Sequence, residues 1–157
     1  MKPRLETKIR RNPRVAVFSR NHPEYLRSAA EVSSHHPEKL ITFRASTSWK
    51  AVQTALKYRA SLPVYFVPIG QENLVSYEAT LHTVLLNPRQ NDEDTKKLLA
   101  FCLPETSGEG LWEGEVNTLY VIRQCRKLSD PFPMTALVKV SDDEPISERY
   151  GYSYSVV

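Results

Sequence analysis

Two consecutive apolar segments in the middle of the sequence restrict the possible folds more than any other feature. Residues 62–69 form a nearly continuous apolar run rich in β-branched and aromatic side chains, which is typical of a buried strand. Over residues 74–86 apolar and polar side chains alternate, as in a strand that is buried on one face. Gly70 opens the short polar connection between them. The sequence therefore predicts an antiparallel hairpin with its turn over residues 70–73.

Helical segments and further strands flank this hairpin on both sides. Apolar residues at helical spacing predict helices that begin near Pro23, Ser48 and Asn91, with Ser48 as an N-cap. The remaining predicted strands share short apolar or alternating patterns and cover residues 14–18, 40–43, 116–125 and 136–140. The order β-α-β-α-β-β-α-β-β predicts an α+β fold, a mixed β-barrel or curled sheet flanked by about three helices. No Gly-rich loop follows a strand, which argues against a dinucleotide-binding fold.

The length and composition of the chain fit a single globular domain. The chain has 157 residues, of which 41% are hydrophobic and 25% are charged. We expect a flexible basic arm over residues 1–13 and one domain over residues 14–157. No apolar run approaches the roughly 20 residues that a membrane span needs, and the first residues lack the apolar region of a secretory signal. These features predict a cytoplasmic protein with no membrane partner, in which Cys102 and Cys125 are buried, reduced thiols.

Charge is distributed unevenly along the sequence, although the net charge is only +3. Cations predominate in the first fourteen residues, where Glu6 is the single acid, whereas acids concentrate in residues 92–94 and 142–144. Further basic clusters contain Arg44, Lys50, Lys57 and Arg59, and then Arg123, Arg126 and Lys127. This polarity indicates a face turned towards a polyanion such as a nucleic acid. An ordinary solvated surface with a basic tail explains the same pattern equally well.

No catalytic or metal-binding motif stands out in the sequence. The adjacent His35 and His36 lie in a polar break, which is typical of surface residues, and His82 lies on a strand beside Leu81 as a solvated cross-strand residue. No Asp or His stands at an informative spacing from the hydroxyls of residues 46–48. The histidines, cysteines and acids form no metal-ligand cluster. The sequence therefore predicts a protein that is not itself an enzyme and that carries no cofactor and no metal.

Both tryptophans of the chain lie beside small polar residues. Trp49 follows Ser46, Thr47 and Ser48, and Trp112 follows a Gly-containing loop. Tryptophan is most often a core residue, yet neither of these lies in the middle of an apolar run. An aromatic wall beside hydroxyls and backbone amides suits one planar, partly apolar group, such as a nucleobase removed from its stack.

Short segments in the same order resemble the PUA-like superfamily, especially its YTH and EVE branches. Residues 43–47 resemble the YTH stretch in which a cage tryptophan is followed by a small residue, Ser and Thr. Residues 63–70 resemble the central strand and turn of that family, and residues 76–80 fall where its members carry a Gly-Val-Ala-Glu-like strand. Residues 111–114 are similar to a Trp-Lys-Gly segment before the strand that closes the pocket. Residues 131–137 are similar to the ending of these domains.

The resemblance implies a PUA-like fold and a reader of modified, methylated nucleobases in DNA or RNA. The first cage tryptophan of the family falls at Arg44 here, so the aromatic wall would come from Phe43 or Trp49, with Trp112 stacking on the base and hydroxyls bonding its edge. The implied base-binding residues are Phe43, Arg44, Ser46, Thr47, Trp49 and Trp112. The implied phosphate-binding residues, with Arg44, are Lys50, Arg123 and Arg126. Relatives of this type commonly form the recognition part of modification-dependent restriction systems, which implies an effector domain or subunit as a partner.

Two other functions remain open from the sequence. A neighbouring PUA-like branch, ASCH, implies a small hydrolase that acts on RNA or modified nucleosides, but the Gly-x-Lys-x-x-Glu pattern of that branch is not present here. A protein-interaction domain that uses the tyrosine-rich residues 150–157 is the third possibility.

Overall fold

The computed structural model describes residues 4–106, 112, 114–150 and 154–157. Within this part of the chain there are four α-helices: α1 Leu5–Arg11, α2 Pro23–His35, α3 Lys50–Leu56 and α4 Glu93–Leu99. The same part contains six β-strands: β1 Val17–Asn21, β2 Ile41–Ala45, β3 Leu62–Pro68, β4 Leu74–Leu86, β5 Thr118–Pro133 and β6 Tyr154–Val156. The predicted α+β class is confirmed.

All six strands belong to one mixed sheet in the order β2-β5-β4-β3-β1-β6. Only β1 and β3 pair in parallel, and every other neighbouring pair is antiparallel. The predicted hairpin of β3 and β4 is present, with Leu62 opposite Leu81 and Phe66 opposite Tyr77. Gly70 supports the turn with a φ of 78°, a conformation that glycine adopts without steric cost.

The sheet is curled, and a single hydrogen bond demonstrates it. Two strands separate β1 from β5 in the sheet, so a flat sheet would place them roughly 14 Å apart. Nevertheless Asn21 Nδ2, at the end of β1, donates to Tyr120 Oη of β5 over 3.0 Å. The larger core fills the concave side, where the indole of Trp49 and the side chains of Leu26, Phe66 and Ile122 are fully buried. A smaller core around Phe18 and Met134 covers the opposite side of β1.

The expectation of a flexible arm over residues 1–13 is wrong for most of that segment. Residues 5–11 form α1, which packs on the main core through the fully buried Ile9. The guanidinium of Arg59 donates to the backbone carbonyls of Ile9 and Asn12, at 3.3 and 2.6 Å. Of the basic residues that suggested a solvated arm, Arg10 and Arg11 are exposed on α1, whereas Lys8 is half-buried and pairs with Asp143 over 3.1 Å. The helix also contacts α3.

The C-terminal elements and one helix cap also differ from the expectations. Residues 136–140 do not form a strand; residues 134–136 form a 3-10 turn, and Val138 makes only an isolated bridge with Pro145. The last strand is instead β6, which adds to the sheet edge beside β1. Ser48 does not cap α3, because the N-cap position is Trp49 and the Ser48 hydroxyl is buried without a hydrogen-bond partner in the described structure.

None of the described helices is long and apolar enough to cross a membrane. Both cysteines are free, as predicted, although only Cys125 is fully buried while Cys102 is half-buried.

Candidate functional site

A cavity of about 570 Å³ opens at one end of the concave side of the sheet. It lies between the ends of β1 and β2, the first turn of α2, and the chain around residues 105–106 and 114–115. This volume is within the range of roughly 300–1,000 Å³ that is typical of small-molecule sites. The residues that line the cavity include Ser19, Asn21, His22, Tyr25, Phe43, Arg44, Ser46, Ile69, Glu105, Glu115 and Tyr120.

The floor of the cavity is the polar continuation of the main core. Alternate side chains of a strand share a face, so Val17, Ser19 and Asn21 point to the same side of β1. Val17 is part of the apolar core, whereas Ser19 and Asn21 reach the cavity and are only 1% and 8% exposed. Across the curl, Tyr120 of β5 presents its hydroxyl to the same place. The three side chains form a buried, neutral, polar floor.

Hydrogen bonds connect the groups of this floor. Asn21 Nδ2 donates to Tyr120 Oη over 3.0 Å, and the backbone N–H of His22 donates to Asn21 Oδ1 over 2.7 Å. Ser19 Oγ, on the same side of β1, donates to the carbonyl of Arg20 over 3.3 Å. Burial raises the pKa of Tyr120 above its ordinary value, and the hydrogen bond from Asn21 partly opposes this effect. The hydroxyl therefore keeps its proton at neutral pH and serves as a neutral hydrogen-bonding group.

The walls of the cavity are aromatic and apolar. Phe43 of β2 lies opposite Tyr120 in the strand register, with ring centroids 5.8 Å apart. At the start of α2, the rings of His22 and Tyr25 meet edge to face with centroids 5.1 Å apart. Ile69, which follows β3, is 42% exposed at the mouth. A flat ligand can therefore contact apolar surface on its sides while its edge reaches the polar floor.

Charged side chains lie at the rim and not at the floor. Arg44, Glu105 and Glu115 are all exposed. Arg20 directs its guanidinium to the opposite side of the sheet, where it donates to Asn73 Oδ1 over 3.4 Å. Charge at the mouth is therefore mixed, and the interior is neutral.

The structure brings three of the six predicted base-binding residues to this cavity, namely Phe43, Arg44 and Ser46. Thr47 does not line it, and its carbonyl instead accepts a hydrogen bond from the Thr118 hydroxyl over 2.8 Å. Trp112 is half-buried and is not a lining residue of the described cavity. Residues 107–111 and 113, which flank it in the sequence, lie outside the described residues. Base binding by the lining residues remains a prediction.

The expectation that Trp49 forms part of the pocket wall is wrong. Its indole is fully buried in the main core and is stacked between two tyrosines. The ring centroids are 4.2 Å apart for Tyr120 and 5.1 Å apart for Tyr154, at angles of 18° and 21°. Both indole faces are therefore covered by protein, and no ligand can stack on Trp49 without a rearrangement of the core.

The predicted phosphate-binding residues are not gathered at the cavity either. Arg123 pairs with Glu38 over 2.8 Å, and Arg126 Nε donates to Glu78 over 2.6 Å. Lys50 is exposed at the first residue of α3 and does not line the cavity. Of the basic candidates, the structure places only Arg44 at the mouth among the described lining residues.

Sequence reasoning missed the floor of the cavity. The series Val17, Ser19 and Asn21 could have indicated this floor. Alternate residues share one face of a strand, and along this face an apolar side chain is followed by two polar ones. Nothing local pairs Asn21 with Tyr120, which is 99 residues away along the chain. Only the curl of the sheet brings the two together.

Comparison with known proteins gives structural neighbours only. No family model matches the chain, and no curated protein matches it significantly. Among solved structures it is similar to the ASCH protein from Zymomonas mobilis, with 10% identity, a TM-score of 0.44, and coverage of 86% of this chain and 90% of that one. A tyrosine-to-phenylalanine variant of the same protein gives 10% identity, a TM-score of 0.46, and coverage of 86% and 92%. These neighbours are ASCH domains, and the YTH or EVE type remains a prediction.

Proposed function

We propose that this chain is a non-catalytic module that binds one nucleobase of a nucleic acid in the cavity between β1 and β2. The observation that carries the proposal is the buried, hydrogen-bonded floor of Asn21 and Tyr120 beside the aromatic side chain of Phe43. Ligand sites of this kind combine apolar walls with a few placed polar groups, which fix the orientation of the ligand.

The neutrality of the floor favours a base over a charged group as the buried part of the ligand. Burying a phosphate or a carboxylate is unfavourable unless a positive charge accompanies it, and the floor side chains Ser19, Asn21 and Tyr120 are uncharged. Two arginines, Arg20 and Arg44, are among the described lining residues. The guanidinium of Arg20 bonds Asn73 and Met134 on the other side of the sheet, and Arg44 is exposed at the mouth. A base inside with its phosphates at the rim matches this arrangement, and Arg44 is the residue we assign to the backbone contact.

The apolar surface near the mouth supports a methylated base in DNA or RNA as the ligand. Tyr25, Phe43 and Ile69 supply carbon surface above the polar floor. Burying a methyl group there adds about 0.8 kcal/mol, and base stacking on an aromatic ring adds about 1–3 kcal/mol. In this proposal any chemistry on the nucleic acid belongs to an effector domain or subunit.

The second candidate is a hydrolase that acts on RNA or modified nucleosides. The exposed carboxylates of Glu105 and Glu115 line the same cavity as the hydroxyls of Ser19 and Tyr120, which supports this candidate. Against it, burial keeps Tyr120 protonated, and no lysine lines the cavity within the described part of the chain. Incubation with RNA and acylated or methylated nucleosides, followed by chromatography of the products, distinguishes the two functions.

Titration of fluorescent single-stranded oligonucleotides tests the binding function directly. Each oligonucleotide carries one methylated base or its unmodified counterpart in an otherwise identical strand. We expect saturable binding at low salt that is tighter for the methylated strand. Arg44→Ala should weaken binding and make its salt dependence less steep, because one phosphate contact is lost.

Arg126→Ala is the matched control, since Arg126 is an arginine that pairs with Glu78 away from the cavity. It should leave the affinity within about twofold of the unmodified chain, because surface substitutions outside a contact area change free energies by only about 0.5 kcal/mol. Absence of binding to every oligonucleotide at low salt would remove the proposal.

A further inference from the structure

Positive charge is concentrated on α1 and the residues beside it. The first fourteen residues hold six of the 21 lysines and arginines and one of the 18 acids. The rest of the chain, with 15 cations and 17 acids, therefore has a net charge of −2. Within the described part of this segment the exposed cations are Arg4, Arg10, Arg11 and Arg14. The attraction of the folded chain for a polyanion therefore centres on this surface.

The basic side chains of α1 stand on a fixed support. Ile9 is fully buried in the main core, and Arg59 donates to the backbone carbonyls of Ile9 and Asn12. The guanidinium of Arg10 lies 5.5 Å from the ring centroid of Tyr58. Because the backbone of these cations is already ordered, binding costs less conformational entropy than it would for a flexible tail.

A second cavity, of about 320 Å³, lies between α1 and residues 138–143. Its lining includes three cations, Lys8, Arg11 and Lys139, and the acid Asp143. Lys8 Nζ donates to Asp143 Oδ2 over 3.1 Å and to one backbone carbonyl over 3.2 Å, so one of its three N–H groups is left. Within the described part of the chain, the guanidinium of Arg11 has no ion-pair partner. The cavity therefore has an excess of positive charge and unused N–H donors.

We propose that this second cavity and the exposed face of α1 bind the sugar–phosphate backbone of the nucleic acid, with one phosphate group held between Arg11 and the two lysines. The inference rests on the proposed function and adds a second contact surface to it. A phosphate is held best where cations and N–H donors converge, and the second cavity supplies both. The mouth of the first cavity attracts a polyanion less, because Arg44 lies there with Glu105 and Glu115.

A nucleic acid fits this surface better than an anionic membrane does. A helix that lies on a membrane inserts an apolar face among the lipids. The apolar side of α1 is not available for this, because Ile9 is buried in the main core and Leu5 packs against that core. Val138 is an exposed apolar residue of the second cavity, and one valine is too small for insertion. The exposed residues of α1 are all charged, namely Glu6, Arg10 and Arg11.

Asp143→Asn tests the second cavity through a gain of affinity. It removes the acid of the cavity, and asparagine tolerates the left-handed backbone at this position, where φ is 60°. Lys8 then has no carboxylate partner, so we expect single strands to bind about two- to fivefold more tightly at low salt. Asp130→Asn is the matched control, because it makes the same change in net charge at an exposed residue outside both cavities. Its effect on binding should be smaller.

Arg11→Ala is the converse test. It should weaken binding roughly threefold and reduce the slope of log affinity against log salt concentration by about 0.7, the value for one phosphate contact of a single strand. Arg89→Ala is the matched control, because Arg89 is an exposed arginine that lines neither cavity. It should leave both quantities unchanged. Circular dichroism checks that each variant is folded.

Three kinds of probe separate this inference from the proposed function: a strand of abasic nucleotides, the same strand with one methylated or unmodified base, and vesicles of anionic lipid. Binding of the abasic strand that responds to both variants as stated supports the inference. Strand binding that neither variant changes overturns it, and tighter binding of the methylated strand then still supports the proposed function. Tighter binding of the vesicles than of any strand overturns the inference in favour of a membrane surface. Absence of binding to every strand overturns both proposals.

Discussion

At the scale of single residues, burial separates two tryptophans that look alike in the sequence. Each follows small polar or glycine residues, and neither lies in the middle of an apolar run. Trp49 is fully buried between Tyr120 and Tyr154, whereas Trp112 is half-buried. A local pattern cannot distinguish these cases, because the stacking partners of Trp49 come from distant strands.

Truncating the two tryptophans should therefore have unequal effects on stability. Trp49→Ala leaves a large cavity between two rings and should lower the free energy of unfolding by about 3–5 kcal/mol. Trp112→Ala should cost less than about 1–2 kcal/mol, because less surface is buried. Urea denaturation followed by circular dichroism measures both. Equal losses for the two variants would contradict the core position of Trp49.

Removing the hydroxyl of Tyr120 should affect both stability and binding. Tyr120→Phe leaves the Asn21 amide without its 3.0 Å partner in a buried site, which should cost about 1–3 kcal/mol of unfolding free energy. It should also weaken binding of the base, since the floor loses an acceptor. Tyr65→Phe, on a half-buried tyrosine that does not line the cavity, is the control for loss of a hydroxyl. Tight base binding by a folded Tyr120→Phe chain would exclude this hydroxyl from the site.

At the scale of elements, α1 and β1 show that the structural role of a short segment depends on what it packs against. The cationic side chains of α1 suggested a solvated arm, but Ile9 docks into the main core. β1 carries a single alternating pattern that serves both sides of the sheet: Phe18 belongs to the smaller core, and Ser19 and Asn21 form the cavity floor. Each residue of β1 therefore belongs to the core or the cavity on the side of the sheet that its side chain faces.

Substitutions in α1 distinguish a packed helix from a loose arm. Ile9→Ala should lower the free energy of unfolding by about 2–5 kcal/mol, because Ile9 is fully buried. Arg11→Ala, on the exposed side of the same helix, should change it by no more than about 0.5 kcal/mol. Thermal and urea unfolding of both variants give the comparison. If Ile9→Ala is as stable as the unmodified chain, α1 does not dock in solution.

At the scale of the whole molecule, the curl of the sheet creates both the core and the cavity. It encloses the apolar concave side and brings the polar ends of β1 and β5 together, as the bond between Asn21 and Tyr120 shows. The same enclosure buries titratable groups: desolvation raises the pKa of Cys102 to about 11 and that of Cys125 to about 12. The folded chain therefore holds its thiols in the neutral form well above neutral pH.

These raised pKa values predict that the free energy of unfolding falls in alkali, because the thiols lose their protons more readily in the unfolded chain than in the folded one. In the unfolded chain a thiol loses its proton near its ordinary pKa of 9.0, whereas in the folded chain Cys102 does so only at about 11. The stabilising contribution is thus complete below pH 9.0 and is lost as pH rises towards about 11. Because other groups also titrate in alkali, Cys102→Ala is the control: the free energy of unfolding of the unmodified chain should fall more steeply with pH than that of the variant. If the two chains show the same dependence of unfolding free energy on pH, the raised pKa of Cys102 is contradicted.

Much of the fold was predictable because hydrophobic periodicity is a local property. The strand over residues 74–86 was predicted with the boundaries that the structure shows, and the helix beginning at Pro23 was predicted as well. The strand expected over residues 136–140 was wrong, because an apolar run of that length fits a 3-10 turn and an isolated bridge equally well. Local pattern gives the type of an element more reliably when the segment is long and strictly periodic.

The candidate site was predictable only in part. The segment that contains Phe43 and Ser46 was singled out because small polar residues precede Trp49 and because it resembles a YTH stretch. Phe43 and Ser46 do line the cavity, whereas Trp49 does not. Arg123 and Arg126 were proposed from the basic cluster that contains them and from the resemblance, but their partners Glu38 and Glu78 lie far from them in the sequence. Charge along a chain does not reveal which cations are already neutralised across a sheet.

By itself the amino-acid sequence determined the α+β class and the central hairpin, since both follow from apolar patterns within short segments. The tertiary structure decided that Trp49 is a core residue, that residues 5–11 are a docked helix, and that Asn21 meets Tyr120. Those outcomes depend on the curl of the sheet. That curl brings together strands that are far apart in the chain and in the sheet order, and the pattern within any single strand does not specify it.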